Sequence, residues 1–137
     1  MAERVLKSLL KRGGIHDVEV SSAGLWDMQG APADKVARQI LRENGINDEG
    51  HHARLVNEVM IGEADLVVVM EKEQLQILGD QYPQAMDKLR ALKSYLPEPD
   101  YGKISGDIKD PYRQSIFHYR LCFAEISLAM EKLMKCI

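Results

Sequence analysis

Cysteine is scarce in this chain: Cys122 and Cys136 are the whole supply, which excludes a disulfide framework and a cysteine-rich zinc site. Tryptophan is scarcer, with Trp26 alone. No apolar run approaches the length of a bilayer crossing, the densest being Leu66 to Met70, so no membrane association is expected. A basic surplus is missing as well. The net charge of −3 argues against nucleic acid as a partner, because such binders are normally basic. The stretch from Met1 to Leu10 is charged and amphipathic, unlike a signal peptide, and the expected compartment is the cytoplasm.

What is present fits one folded domain. The 137 residues, 45% hydrophobic and 28% charged, suffice to bury a real core, so residues 1–137 are expected to form one globular domain. Val5, Leu6, Leu9 and Leu10 share a helical face, and Gly13-Gly14 supplies the backbone freedom that ends that helix. Val18 to Ser22 reads as a short strand, followed by a loop from Ala23 to Pro32. A second helix is expected over Asp34 to Glu43, closed by Asn44-Gly45, and a short one around Leu55 to Gly62. Ala64 to Met70 is an unbroken apolar, β-branched run of the kind buried on both faces of a parallel sheet. Helix follows from Glu73 to Leu78, and the first half of Leu89 to Leu96 is expected to be strand. In the last helix Ile116, Tyr119, Phe123, Ile126, Met130 and Leu133 step by three and four as one core stripe. Strands alternating with helices imply an α/β domain with a parallel sheet.

In such a sheet the site belongs to loops at the carboxyl ends of the strands. Polar groups gather in three places: Ser21 to Gly30, the segment after Met70, and Asp107 to Ser115. In the third, Asp110 precedes Pro111, which pushes its backbone toward an extended conformation, and Tyr112 follows. That is either a plain turn capping the next helix or a stiff loop holding a proton donor beside an aromatic wall. Trp26 is either a local plug or a wall for an aromatic ligand. Cys122 falls within the last helix and Cys136 one residue from the end of the chain, so both are expected to be structural. His51 and His52 have no partner at metal-ligand spacing, and no cofactor or metal is expected. Arg54 and Arg113 are of the type that binds anions or is simply solvated.

Five segments carry a resemblance that runs over essentially the whole chain: Met1-Ala2-Glu3, Ser22-Ala23-Gly24-Leu25, Gly50-His51-His52-Ala53-Arg54, Met70-Glu71-Lys72 and Asp110-Pro111-Tyr112-Arg113. In this order and at about these separations, the sequence resembles the low-molecular-weight protein tyrosine phosphatases, most of all the bacterial branch paired with tyrosine kinases of exopolysaccharide export. The resemblance implies a three-layer α/β/α fold around a parallel sheet. It also implies a mechanism. A cysteine thiolate in a loop of the form Cys-x5-Arg-Ser/Thr attacks phosphorus, and backbone N–H groups at a helix N-terminus cradle the phosphate with the arginine. Asp110 then falls on the general acid that protonates the leaving phenolate and later acts as base for water. Tyr112 would line the mouth, with Trp26 or Met28 opposite, and Ser22 and His51 would support the phosphate loop. The implied partner is a phosphotyrosine protein, an exopolysaccharide tyrosine kinase among the candidates.

One departure from the family pattern is large. The 137 residues hold no Cys-x5-Arg, since the sixth residue after Cys122 is Leu128 and Cys136 is almost terminal. The family's phosphate loop ends in Arg-Ser-Pro immediately before Met-Ala-Glu, so the chain is expected to be truncated at its front, without the first, interior strand and without turnover. Unpaired edges at Val18 to Ser22 and Leu66 to Met70 would then favour a homodimer through exposed strand edges. Three functions remain open: a phosphatase whose front lies outside these residues, a shorter paralogue serving as a binding or regulatory module, and an unrelated α/β small-molecule or phosphate-binding protein. The first is favoured because Ser22, His51 and Asp110 keep residue types whose use depends on the absent loop.

Overall fold

The computed structural model describes residues 1–25, 34–48, 50, 54–96, 108, 111 and 114–137. Helix α1 (Ala2–Arg12) buries Val5, Leu6 and Leu10, with Glu3 in its first turn and Lys11 and Arg12 in its last, as the helix dipole favours. It stops at Gly13; Gly14 turns the chain at φ +70°, a conformation that suits glycine, and Ile15 N–H returns to Leu10 O at 2.9 Å. Helix α2 (Lys35–Glu43) uses the same stop, with Gly45 at φ +70° and Ile46 N–H on Leu41 O at 2.9 Å. Helix α3 (Glu58–Glu63) is capped by Asn57, whose side chain accepts from Met60 N–H at 2.9 Å.

Strand β1 (Val67–Val69), helix α4 (Lys72–Gln81) and strand β2 (Leu89–Ala91) form a parallel β-α-β unit, Val67 opposite Leu89 and Val69 opposite Ala91. Between α4 and β2 runs a 3-10 turn at Pro83–Lys88, and after β2 a second at Leu92–Tyr95. Helix α5 (Ile116–Met134) closes the fold. The alternation of side chains along β1 assigns the layers. Val68 packs with α1, α2, α5 and Leu92 in one apolar cluster. Val67 and Val69 pack with Ile61 of α3 and Leu78 of α4 in the other. The sheet is thus held between two helical layers, the three-layer α/β/α arrangement that the resemblance implied. No described helix is long and apolar enough to cross a membrane.

The structure corrects four sequence expectations. Val18 to Ser22 is not a strand. Val18 and Val20 are half-buried against the first cluster while Glu19 and Ser21 are exposed, an alternating pattern without a ladder among the described residues. A strand needs a neighbouring backbone, and periodicity alone does not supply one. The run Ala64 to Met70 contracts to three strand residues, because Ala64 caps α3 and Asp65 and Leu66 are exposed. Leu55 belongs to a bridge with Gly24, so α3 begins later than the apolar pattern suggests. The core stripe of α5 is rotated from its expected position: Ile116 is 37% exposed and Phe123 half-buried, while Cys122 and Ala129 join Tyr119, Ile126, Met130 and Leu133 inside.

Candidate active site

The carboxyl end of β1 is where the loops meet. Met70, the next residue, is held in both directions. Its N–H donates to Gln74 Oε1 at 3.0 Å, within the box that caps α4, and its carbonyl accepts from Ile108 N–H at 2.8 Å. Ile108 is buried in the first cluster, so apolar packing and a backbone hydrogen bond both pin it to the end of the strand. At the far side of this loop Gln114 N–H reaches Pro111 O at 2.9 Å, and Ser115 opens α5. Asp110 and Tyr112 fall between these anchors in sequence and lie outside the described residues.

A second segment runs from α2 to the loop after Ser22. Asp48, 8% exposed, accepts from Arg38 Nε at 3.0 Å, and Arg42 Nε lies 3.2 Å from the same oxygen. The two arginines stand one helical turn apart on α2, so one buried carboxylate fastens the segment to that helix. Gly50 turns at φ +79°, and a methyl group on its Cα would lie 3.8 Å from Arg4 Nη2. This places residue 50 beside the guanidinium of Arg4. Further along, Gly24 N–H donates to Arg54 O at 2.7 Å and Val56 N–H to Gly24 O at 2.8 Å, a parallel bridge. Arg54 Nε reaches Ser22 O at 3.4 Å. Ser22 is therefore half-buried on a segment locked to residues 54–56, in the loop where the sequence placed it. His51 follows Gly50 directly and lies outside the described residues, as do Trp26 and Met28.

Among the described residues, Asp48 is thus tied to α2, Gly50 lies by the Arg4 side chain, and residues 54–56 are tied to the Ser22 loop. Cys122 is buried in α5, and Cys136 is exposed with its thiol 3.6 Å from Lys132 O. The described residues hold no group of three or more His, Cys, Asp or Glu side chains suited to a metal ion.

Sequence reading missed two ties. The Asp48 clamp is foreshadowed only by Arg38 and Arg42 at i, i+4, a spacing that commonly marks a solvated face. The buried Tyr119 hydroxyl donates to the carboxylate of Asp34, the N-cap of α2, and so joins α5 to the start of α2. Nothing local announces a bond between residues so distant in sequence.

The sequence pattern of the family described as Low molecular weight phosphotyrosine protein phosphatase matches residues 1–137. A protein-arginine-phosphatase of Bacillus subtilis is 31% identical over 135 residues, 98% of this chain and 85% of that protein. A putative low molecular weight protein-tyrosine-phosphatase of Klebsiella pneumoniae is 32% identical over 115 residues, 84% of this chain and 72% of that protein. Among solved structures, the low molecular weight protein tyrosine phosphatase of T. tengcongensis superposes with a TM-score of 0.88 at 31% identity, covering 99% of this chain and 88% of that one.

Proposed function

The chain belongs to the low molecular weight phosphotyrosine protein phosphatase family, and from that premise we propose that its loops serve hydrolysis of a phosphotyrosine protein through a cysteinyl-phosphate intermediate. The observation that carries the reading is the anchoring of the acid loop. Ile108 is bound to Met70 at the carboxyl end of β1, where α/β sheets place their ligands, and Asp110 follows it by two residues in sequence. Asp110 in that loop is the general acid. It donates a proton to the phenolate as the P–O bond breaks, then takes one from the water that attacks the cysteinyl phosphate. Tyr112 lines the mouth and Trp26 or Met28 the opposite wall, favouring an aromatic leaving group. Ser22 lies on the segment that the Gly24–Arg54 bridge fastens, and His51 follows the Asp48 clamp in sequence, which suits a role for both in supporting the phosphate loop. A tyrosine kinase of exopolysaccharide export is the partner that the motif set favours, and the cytoplasm is the compartment.

The 137 residues contain no Cys-x5-Arg. By themselves they hold the acid side of the reaction and no attacking sulfur, and a general acid alone is worth only about 10² to 10⁴ in rate. The 137-residue polypeptide therefore has no turnover of its own, and a non-catalytic binding or regulatory role is the alternative that this feature favours. A second substrate reading has a separate basis: the Bacillus subtilis relative bears the name of an arginine phosphatase, so phosphoarginine competes with phosphotyrosine as the group cleaved.

The test is p-nitrophenyl phosphate hydrolysis by two purified proteins: the 137-residue chain, and the same chain extended in front by a strand and a Cys-x5-Arg-Ser-Pro loop. The first is expected to be inert. The second is expected to turn over, and Asp110→Asn to slow it about 10²- to 10⁴-fold while vanadate binding is kept. Asp110-dependent hydrolysis by the 137-residue chain itself would overturn the proposal, as would equal losses of rate and vanadate affinity in the extended Asp110→Asn variant. Phosphotyrosyl and phosphoarginyl peptides offered to the extended chain decide between the substrates.

A further inference from the structure

Helix α5 is apolar on two sides. Its inner side enters the core, and its outer side leaves Phe117 67%, Leu121 49% and Leu128 48% exposed, with Ala124 exposed between them. The spacing of these four is 4-3-4, the a/d repeat of a coiled-coil seam, and it runs about 18 Å along the helix. Glu131, at the next seam position, ends it. Each flank of the seam is charged. On the α2 side Arg120 Nη2 donates to Glu43 Oε1 at 3.2 Å; on the other, Glu125 Oε2 lies 3.5 Å from Lys93 Nζ. Arg120 precedes Glu125 by five residues, the spacing at which the g position of one helix meets the e position of a parallel partner.

We propose that the outer seam of α5 is a self-association surface that takes a second copy of this chain, with the two α5 helices parallel across a two-fold axis. Phe117, Leu121, Ala124 and Leu128 then each meet their own counterparts, and the small Ala124 at mid-seam lets the backbones approach. Arg120 of each copy faces Glu125 of the other. Because these groups already hold Glu43 and Lys93, contact builds two rows of four charges with alternating sign: Glu43 and Arg120 from one copy, then Glu125 and Lys93 from the other. The antiparallel arrangement sets Arg120 against Ser127 and Glu125 against His118, a poorer match in charge, and so the parallel one is chosen. The flanks carry no basic surplus, each pairing one cation with one anion, and with the net charge of −3 this disfavours an anionic membrane on this face. Association through strand edges has less to work with, since β1 and β2 are three residues each. A single helix pair of this length buries less than the roughly 800 Å² per partner of a standard interface, so the dimer is weak and depends on concentration.

Sedimentation of the 137-residue chain from about 5 to about 500 µM tests the proposal. The mass is expected to rise from 15.5 kDa toward twice that value. Leu121→Lys, at a half-exposed position, is expected to keep the fold by circular dichroism and to keep the chain monomeric throughout. Arg120→Glu and Glu125→Arg are each expected to weaken association about tenfold or more, and an equimolar mixture of the two variants to restore it as a heterodimer. A wild-type chain that stays monomeric over the whole range overturns the proposal, and so does association that survives Leu121→Lys. Failure of the mixed charge variants to rescue each other overturns the parallel pairing.

Discussion

Along α5, one face carries Tyr119, Cys122, Ile126, Ala129, Met130 and Leu133 into the core, while the opposite face leaves Phe117, Leu121 and Leu128 in solvent. Both are drawn from the same residue types, and both step by three and four. What separates them is company. The inner face meets α1, the turn at Leu92–Tyr95 and the middle of β1, whereas the outer residues belong to neither apolar cluster of the described residues. Hydrophobicity thus marks a surface that wants cover without saying whether the cover is the same chain or another.

The sharpest way to probe this difference is to truncate a leucine on each face. Leu133→Ala, at a position 1% exposed, is expected to cost about 2–5 kcal/mol by denaturant unfolding. Leu128→Ala should stay within about 0.5 kcal/mol at dilution where the chain is monomeric. Equal losses would mean that the outer face is covered within the monomer. Next in size, Tyr119→Phe removes the hydroxyl that ties α5 to Asp34 and is expected to cost about 1.5–3 kcal/mol, as hydrogen bonds to charged groups do. A neutral result would show that the tie adds nothing to packing. The cysteines give a smaller contrast. Cys122→Ser introduces a hydroxyl into the apolar cluster and is expected to cost about 1–2 kcal/mol, whereas Cys136→Ser, at an exposed position, leaves the melt unchanged.

The smallest effect concerns pH. Tyr95 packs against the inner cluster, and burial pushes its phenol above 10.0, with Arg90 pulling the other way and Cys136 adding to the rise. A folded-state value above the unfolded one favours the neutral phenol in the native protein. That share of stability is complete below pH 10 and is lost as pH climbs through the raised value. Tyr95→Phe should flatten this alkaline limb. An unchanged limb in the variant would assign it to another group.

Local chemistry was the legible part of this fold. Gly13-Gly14 and Asn44-Gly45 announce two helix ends because a positive φ after the last turn is a property of the residues themselves, and the structure puts Gly14 and Gly45 there. The apolar run around Val67 to Val69 announces a strand covered on both sides, and its residues do face two layers. Val18 to Ser22 alternates just as plainly, yet no ladder forms among the described residues, since pairing depends on a partner that no short stretch can specify. The phase of α5 was misread for a related reason. A helix with apolar residues on two sides offers more than one stripe, and neighbours choose among them. Of the candidate site, Ser22 is found on an anchored loop, and Asp110, Tyr112, Trp26, Met28 and His51 lie outside the described residues. The clamp on Asp48 could not be read because opposite charges ten residues apart in sequence carry no mark of their meeting.

Met70 belongs to three structures at once: it completes β1, it bonds the glutamine that caps α4, and it holds the residue two places before Asp110. Gln74 is therefore two hydrogen bonds from the acid's segment, although it belongs to a helix start with no chemistry of its own. On the proposed reading of Asp110 as general acid, loss of that amide in an active chain would surface as a proton delivered late, with substrate held as firmly as before. A search confined to side chains around the phosphate would pass it over.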